Sequence, residues 1–494
     1  MGYINMKKFN KDKYLKKLRF KKYKRYLYIG IPCILVLLIG IYFAYSKFSV
    51  SKEEEVVRTT VGDFISGDVV VGAYIDGKYS TTIPGKNDGY KVDKIVCDTD
   101  ASASWDNDSW GIIVTNLTKR TKCNVYFKID PIKKIIAQLD TTGNCPTVNV
   151  DGSVNVTEVE STNSYLCKAK DAYGDSYYYR GNVTNNYVKF GEWQVRKYFG
   201  YYSDTSSAYR RYDSLEECQN ASSYNKKCAV GIDIGTPMYW RIIRMNGDGS
   251  IRVIYDGTSV HENGENSDDR QIGTSAFNSS YNDNAYVGYM YGKIGASTYA
   301  ETHANTNNST IKTYIDTWYE NNIKGTANEK YIVDNIFCND RSISIYTKDL
   351  GYGTNSTLYR WAYGPWDGTK YGNMKMMLTC PQKNDAFTVS DTSKGNGALT
   401  YPVGLLSKDE IVLAGGWLSR VNDFYLSTWQ TWWTSSPEGF GSYAFVHYLY
   451  SDGNASYVDD PVNWDAGVRP VFNLKVEVLA QGSGTASDPY RISS

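Results

Sequence analysis

The chain has 494 residues and a net charge of only +1, but the charge is unevenly divided: the first 25 residues hold eleven Lys and Arg against one acid, and the rest holds 43 Lys and Arg against 52 Asp and Glu, a net −9. That acidic remainder lacks the basic face nucleic acid demands, and a chain 41% hydrophobic and 15% aromatic is too apolar for a disordered stalk. Its 45 Tyr, 12 Trp and 43 Gly favour pleated strands joined by tight turns, so the expected class is α+β and β-rich, with few helices.

Residues 1–25 read as a basic cytoplasmic tail, and residues 26–48 as a transmembrane helix. Tyr26–Tyr45 contains no charged residue and is long enough to span roughly 30 Å of hydrocarbon. Basic residues stay on the cytoplasmic side, while Glu53, Glu54 and Glu55 lie beyond the span. A single-pass protein of the cell membrane follows, N-terminus cytoplasmic and ectodomain extracellular. The membrane is therefore the first expected partner. A cleaved signal peptide would show a shorter apolar stretch and a small-x-small site; AYSKFSV offers a poor one.

Residues 49–129 read as a small β domain. VVVGAYIDGKYSTTI contains an Asp76-Gly77 turn between two strands, a hairpin signal. Further strands are expected at 91–97, 111–116 and 122–128. Asp130-Pro131 then opens a short helix within a connector, 130–143, with Asp as N-cap and Pro at the first helical position.

The main domain is expected over 144–478, followed by a tail, 479–494. Met238–Met245 and Ile251–Tyr255 flank Asn246-Gly247-Asp248-Gly249-Ser250 as a hairpin. The EF-hand loop with its closing Glu is absent, so these acids belong to turn chemistry rather than to calcium. A helix over Ser309–Ile323 places Ile311, Tyr314, Ile315, Trp318 and Asn322 on one stripe with polar residues opposite. Ser407–Ala414 begins with a capping box, Ser407 to Glu410, and stops at Gly415-Gly416. A short helix over 214–219 is expected with Asp213 as cap. The stretches 258–310 and 382–397 read as polar loops, Tyr443–Tyr450 and Ala455–Val458 as paired strands, and Gly467–Val478 as a closing strand.

Nine cysteines divide into Cys33 in the apolar span and eight beyond it. An even exported count suggests disulfides, with neighbours Cys97–Cys123, Cys145–Cys167, Cys218–Cys228 and Cys338–Cys380 as the pairing; free buried thiols are the alternative. No CxxC or Cys/His cluster of zinc-ligand spacing occurs.

Residues 420–464 hold twelve aromatics. Trp429, Trp432 and Trp433, beside Asn422 and Asp423, form a candidate ligand surface if the rings are partly exposed; packing in the core is the alternative. Adjacent strand residues alternate faces, so Trp432 is expected inward and Trp433 outward.

The ordered motifs YYRGNVTNNYVKFG (Tyr178–Gly191), YWRIIRMNGDGSIRVIY, YPVGLLSKDEIVLAGG, WWTSSPEGF (Trp432–Phe440) and GVRPVFNL resemble an uncharacterised family of membrane-anchored surface proteins of gut Gram-positive bacteria. The small β domain resembles a module that precedes it in that family, and GSGTASDPYRI resembles a tail of bacterial surface repeats. More distantly, WWTSSP and GVRP resemble the Fibrobacter paralogous-domain and sulfatase-modifying-factor group. That resemblance implies a C-type-lectin-like domain with long loops around a small twisted sheet. It does not imply catalysis: the formylglycine-generating enzymes of that group use two cysteines near the domain's C-terminal end, and no cysteine follows Cys380 here. Asn463-Trp464-Asp465 only loosely resembles a calcium-binding lectin motif.

No catalytic constellation stands out. The three histidines are His261, His303 and His447, no GxSxG elbow occurs, and phosphate-binding fingerprints are absent. His261-Glu262 with Glu265, Asp268 and Asp269 reads as a solvated charged loop, with divalent-cation binding as the sharper alternative. No catalytic or metal residue and no cofactor is therefore expected. The functional expectation is a surface binding or adhesion protein for glycan, cell-wall polymer or a surface protein. The alternatives are a structural envelope protein and an exported wall-acting enzyme.

Overall fold

A computed structural model describes residues 57–59, 69–86, 88–156, 163–194, 197–206, 209–212, 214–232, 235–362, 374–416, 424–454 and 460–493. The apolar span expected at 26–48 and the return strand expected at 455–458 lie outside them. No described helix is long and apolar enough to cross a membrane. The chain separates into two compact units, Met1–Asp130 and Pro131–Ser494.

In the first unit, Val69–Ile75 turns through Asp76 and Gly77 into Lys78–Ser80. Both turn residues have positive φ, 48° and 79°, the geometry that matches strand twist in a two-residue hairpin. Val69–Ile75 also runs parallel to Thr121–Ile129, which pairs antiparallel with Tyr90–Cys97. A second sheet joins Val57–Thr59, Gly111–Thr115 and Ser102–Asp106. Period-two alternation along Thr121–Ile129 sends Cys123, Val125 and Phe127 into a core with Trp110, Ile112 and Val114. Cys97 and Cys123 face each other in register and are bridged.

The second unit is β-rich with few helices. An antiparallel sheet runs in the order Ser164–Asp171, Gly174–Gly181, Thr236–Met245, Ile251–Gly257, Val471–Leu474, and Tyr187–Trp193 also pairs with Thr236–Met245. The hairpin Thr236–Met245/Ile251–Gly257 closes through an Asn246 amide bond to the Ser250 carbonyl, 2.8 Å. At Gly247 a side chain would meet the Gly174 amide at 2.4 Å, so this turn and the Asp171–Gly174 turn can touch only as glycine. A second sheet orders Thr274–Ala276, Asp465–Gly467, Trp432–Phe440 and Thr357–Leu358, with Ala444–Leu449 also paired to Trp432–Phe440. Smaller ribbons include Met374–Met376 with Val154–Val156, and Lys197–Tyr201 between Tyr209–Tyr212 and Lys227–Ile232.

Several expectations shift. The closing strand is not continuous over 467–478. Asp465–Gly467 lies in one sheet, Val471–Leu474 in the other, and Val476–Leu479 is a 3-10 turn. Pro470, without an N–H, stands between the two strands. The short helix Leu215–Asn220 is capped by Ser214, whose hydroxyl accepts from the Glu217 amide, and not by Asp213. The stretches 258–310 and 382–397 are not merely surface loops: Phe277, Val287, Ala386 and Phe387 within them are core residues. The terminal segment docks on the main sheet, where the Tyr490 amide bonds the Tyr187 carbonyl at 2.9 Å and Lys189 returns a bond to Tyr490.

All eight described cysteines are bridged: Cys97–Cys123, Cys145–Cys167, Cys218–Cys228 and Cys338–Cys380. Cys380 therefore offers no free thiolate.

Candidate functional site

Among the described residues of the aromatic segment, Trp432 and Trp433 do not lie at the expected surface. Trp432 and Trp433 are both 0% exposed, which corrects the outward placement of Trp433. Alternation does send them to opposite faces, but both faces of Trp432–Phe440 are covered. Trp433 packs edge-on against Phe277 and Tyr448, and its Nε1 donates to the Ser275 carbonyl at 2.8 Å. Trp432 lies 5.0 Å from the Arg469 guanidinium. Of the three tryptophans only Trp429 reaches solvent, at 43%. Asn422 and Asp423 lie outside the described residues.

The charged loop divides: Glu262, Glu265 and Asp268 are exposed as expected, whereas His261 and Asp269 are buried. His261 Nδ1 meets Glu265 Oε1 and its Nε2 meets Asp269 Oδ1, each at 2.9 Å. Burial alone would lower its pKa, but hydrogen bonds and charge from Asp269 and Glu265 outweigh that and raise it above 6.5. With both nitrogens facing carboxylates, the ring has no lone pair to lend a cation. Among the described residues, no group of three or more His, Cys, Asp or Glu is placed to hold a metal.

The charged residues of the sequence motifs form buried networks. Asp256 Oδ1 accepts from Arg270 Nε (3.0 Å), Arg270 Nη2 (2.7 Å) and Arg469 Nη2 (2.7 Å), and Arg241 Nη1 stands 3.9 Å from Oδ2. Arg469 also donates to the carbonyls of Tyr255 and Leu426, and Arg241 to that of Val183. Burial pulls Arg469 down to about 9, against the attraction of Asp256. A second network joins Arg244 and Arg252 to Glu410, at 3.3 and 2.6 Å, and Arg244 to Asp171 at 2.8 Å. Glu410 is at once the capping-box residue of Lys408–Ala414 and the anchor of two arginines. Beside it, Lys408 Nζ lies 3.0 Å from His447 Nδ1 and 4.7 Å from the Trp361 ring. Burial lowers Lys408 to about 7, opposed by Glu438 and Asp409, and raises Glu438 to about 7.

The residues placed to meet a ligand lie elsewhere, along the helix Thr310–Asn322. Ser309 caps it, accepting from the Lys312 amide at 3.2 Å. Its apolar stripe buries Ile311, Ile315, Trp318 and Tyr319 against the main core. The Trp318 ring lies 6.0 Å from that of Trp193 and 5.9 Å from that of Phe472, so the sheet fixes its position. Thr313, Thr317 and Asn321, spaced by four residues, share the exposed face. Opposite stand Ser275, Asn278 and Ser279, and the ribbon pairing Met290–Tyr291 with Asn307–Asn308. Between these walls runs an open groove of about 490 Å³, within the roughly 300–1,000 Å³ of small-ligand sites.

The groove's chemistry is uniform. Every lining residue is Ser, Thr, Asn, Tyr or Trp, and none carries a charge. Several hydroxyl protons are already committed: Thr313 donates to the Ser309 carbonyl at 3.0 Å, Thr317 to Thr313 at 2.8 Å and Ser275 to Ala276 at 2.8 Å. Their lone pairs are left as acceptors. Trp318 is 5% exposed, and its Nε1–H has no hydrogen-bond partner among the described residues. A buried donor in that state costs about 1–3 kcal/mol. Such a lining can bind and orient a ligand, and it contains no carboxylate, imidazole, amine or thiol. The sequence signal for it, the stripe Thr313–Thr317–Asn321, reads equally well as an ordinary solvent face. Compared with known proteins, the chain matches no family model, no curated protein and no solved structure.

Proposed function

We propose that the chain is a membrane-anchored surface protein of single-pass topology whose larger unit is a C-type-lectin-like binding module for glycan, cell-wall polymer or a surface protein. The observation that carries this reading is the uncharged polar and aromatic groove along Thr310–Asn322. The basic tail, the charge-free stretch Tyr26–Tyr45 and four disulfides support an exported location. A structural envelope protein is the second reading, favoured by the burial of Trp432 and Trp433 in the core.

Protease shaving of intact cells, combined with pulldown of wall material by the full chain, tests the proposal. Release of peptides from beyond Lys47 and retention of wall polymer or surface protein are expected. A mature chain starting near Ser49 in the medium would replace the anchor with a signal peptide. Absence of any retained wall or surface component would favour the structural reading. Turnover of a wall polymer that survives removal of contaminating hydrolases would favour an exported enzyme.

A further inference from the structure

We propose that the groove along Thr310–Asn322 takes an uncharged, hydroxyl-rich glycan, and takes it without calcium. This rests on the binding reading above and names its ligand class. Three features of the lining lead there.

The first is charge. Polymers bearing phosphate or carboxylate would enter a cleft with no Lys, Arg or His on its walls. Moving such an anion out of water without a counter-charge is costly. The second is polarity. A purely apolar ligand would strip water from Asn308, Asn321 and the threonine oxygens and give nothing back, and unpaired polar groups of this kind discriminate strongly against such ligands. Sugar hydroxyls both donate and accept, so they suit the committed hydroxyls of Thr313 and Thr317, which retain acceptor capacity, and the exposed amides of Asn308 and Asn321, which both donate and accept.

The third is the aromatic share. Tyr291 and Tyr314 border the same cleft and are part-exposed, and the C–H face of a sugar ring is an apolar surface that such rings can pack against. A peptide fits less well. Strand addition needs a free sheet edge of useful length, and the strands on the groove wall, Thr274–Ala276, Met290–Tyr291 and Asn307–Asn308, are only two or three residues long. Calcium has no role in this scheme, because the groove contains no carboxylate and hard divalent cations need oxygen ligands that include several of them.

The experiment uses the full chain in a detergent with no sugar headgroup, since a glycoside detergent would itself compete. Neutral oligosaccharides (gluco-oligosaccharides and oligomers of N-acetylglucosamine) and anionic polymers (polygalacturonate and teichoic acid) are titrated calorimetrically, with and without EDTA. Binding of at least one neutral series, unchanged by EDTA, is expected. Thr317→Glu, at an exposed position, should abolish it. Asn321→Leu removes one exposed amide from the wall and should weaken binding about 2- to 10-fold, the equivalent of one hydrogen bond. Circular dichroism and melting curves confirm that each variant is folded; if Asn321→Leu is not, Thr317→Glu and Asn321→Asp carry the test.

Preference for the anionic polymers, or loss of binding in EDTA, would overturn the ligand class. Neutral-glycan affinity that holds in Thr317→Glu and falls in Trp429→Ala would overturn the site while leaving a glycan-binding protein. Retention of wall or surface protein by the full chain, with no affinity for any neutral glycan, would overturn this inference alone. Failure to retain anything would overturn the binding reading as well.

Discussion

Asp256 is the point at which the second unit should be most sensitive to a single atom pair. Its carboxylate is 1% exposed and is shared by Arg241, Arg270 and Arg469, each with its side chain fully buried. Asp256→Asn keeps the shape and one acceptor but removes the negative charge, leaving three guanidinium groups around a neutral amide. Removing one member of a buried ion pair costs about 3–5 kcal/mol, and here one substitution touches three pairs. Backbone carbonyls of Tyr255, Leu426 and Val183 still hold the arginines, which keeps the loss from being a simple multiple. Against a typical domain stability of about 5–15 kcal/mol, a loss of about 3–5 kcal/mol removes a large fraction.

The assay is urea unfolding of the oxidised protein, read by tryptophan fluorescence, for wild type, Asp256→Asn, Arg469→Met and the double variant. The double variant should be more stable than the two single losses predict, because removing Arg469 relieves the repulsion that Asp256→Asn exposes. A cost below about 1 kcal/mol for Asp256→Asn, or strictly additive losses, would refute the shared-carboxylate account and assign the arginines to their carbonyl partners.

Three further outcomes follow from the charges and bridges. His261 has a folded pKa raised above 6.5, so its contribution is complete below the unfolded value and is lost as pH rises through the folded one. The wild-type advantage over His261→Gln in urea should therefore shrink on the alkaline side of pH 6.5, and an advantage independent of pH would refute the paired imidazolium. Lys408 is lowered from 10.5 to about 7, so the unfolded chain binds the extra proton between those values and wild-type stability should rise with pH across that window relative to Lys408→Met. Parallel pH profiles for the two proteins would refute it. Replacing both Cys338 and Cys380 by Ser, which opens a loop with a sequence separation of 42, should cost about 2–4 kcal/mol in the same assay; an unchanged midpoint would refute a stabilising role for the bridge.

What was legible in the sequence is what local chemistry decides. The Asp76-Gly77 turn, the Asn246–Ser250 turn and the Ser407–Glu410 capping box all stand where their residue types demand. The cysteine pairs follow neighbours along the chain. The misses share a different cause: they depend on what covers an element from the outside. Trp433 illustrates this, because strand alternation correctly predicts two faces for Trp432 and Trp433, yet only the tertiary fold says that both faces are covered. Met290–Tyr291 and Asn307–Asn308 form one groove wall as two-residue strands, too short for any periodic signal. His261 and Asp269 look solvated by composition but are buried because each supplies the other's partner.

The placement of the motifs bears on where recognition can reside. Arg241 and Arg244 of YWRIIRM, Asp256 just after IRVIY, Glu410 of SKDE and Arg469 of GVRP all turn inward and pair within buried ion networks. They position the strands Thr236–Met245 and Ile251–Gly257, the helix Lys408–Ala414 and the segment before Val471–Leu474. Charged motifs of this kind specify a core, because each depends on partners from distant parts of the chain. The groove lies outside them; Ser309, Asn278 and Asn322 of its lining are tied into the fold, but Thr313, Thr317 and Asn321 are exposed and hold little of it together. Substitutions among Thr313, Thr317 and Asn321 should therefore leave folding intact while changing what is bound, whereas substitutions in the motifs should do the reverse. Melting curves and glycan titrations on one matched set, Thr317→Glu beside Asp256→Asn, separate the two, and a Thr317→Glu variant that unfolds would break the division between them.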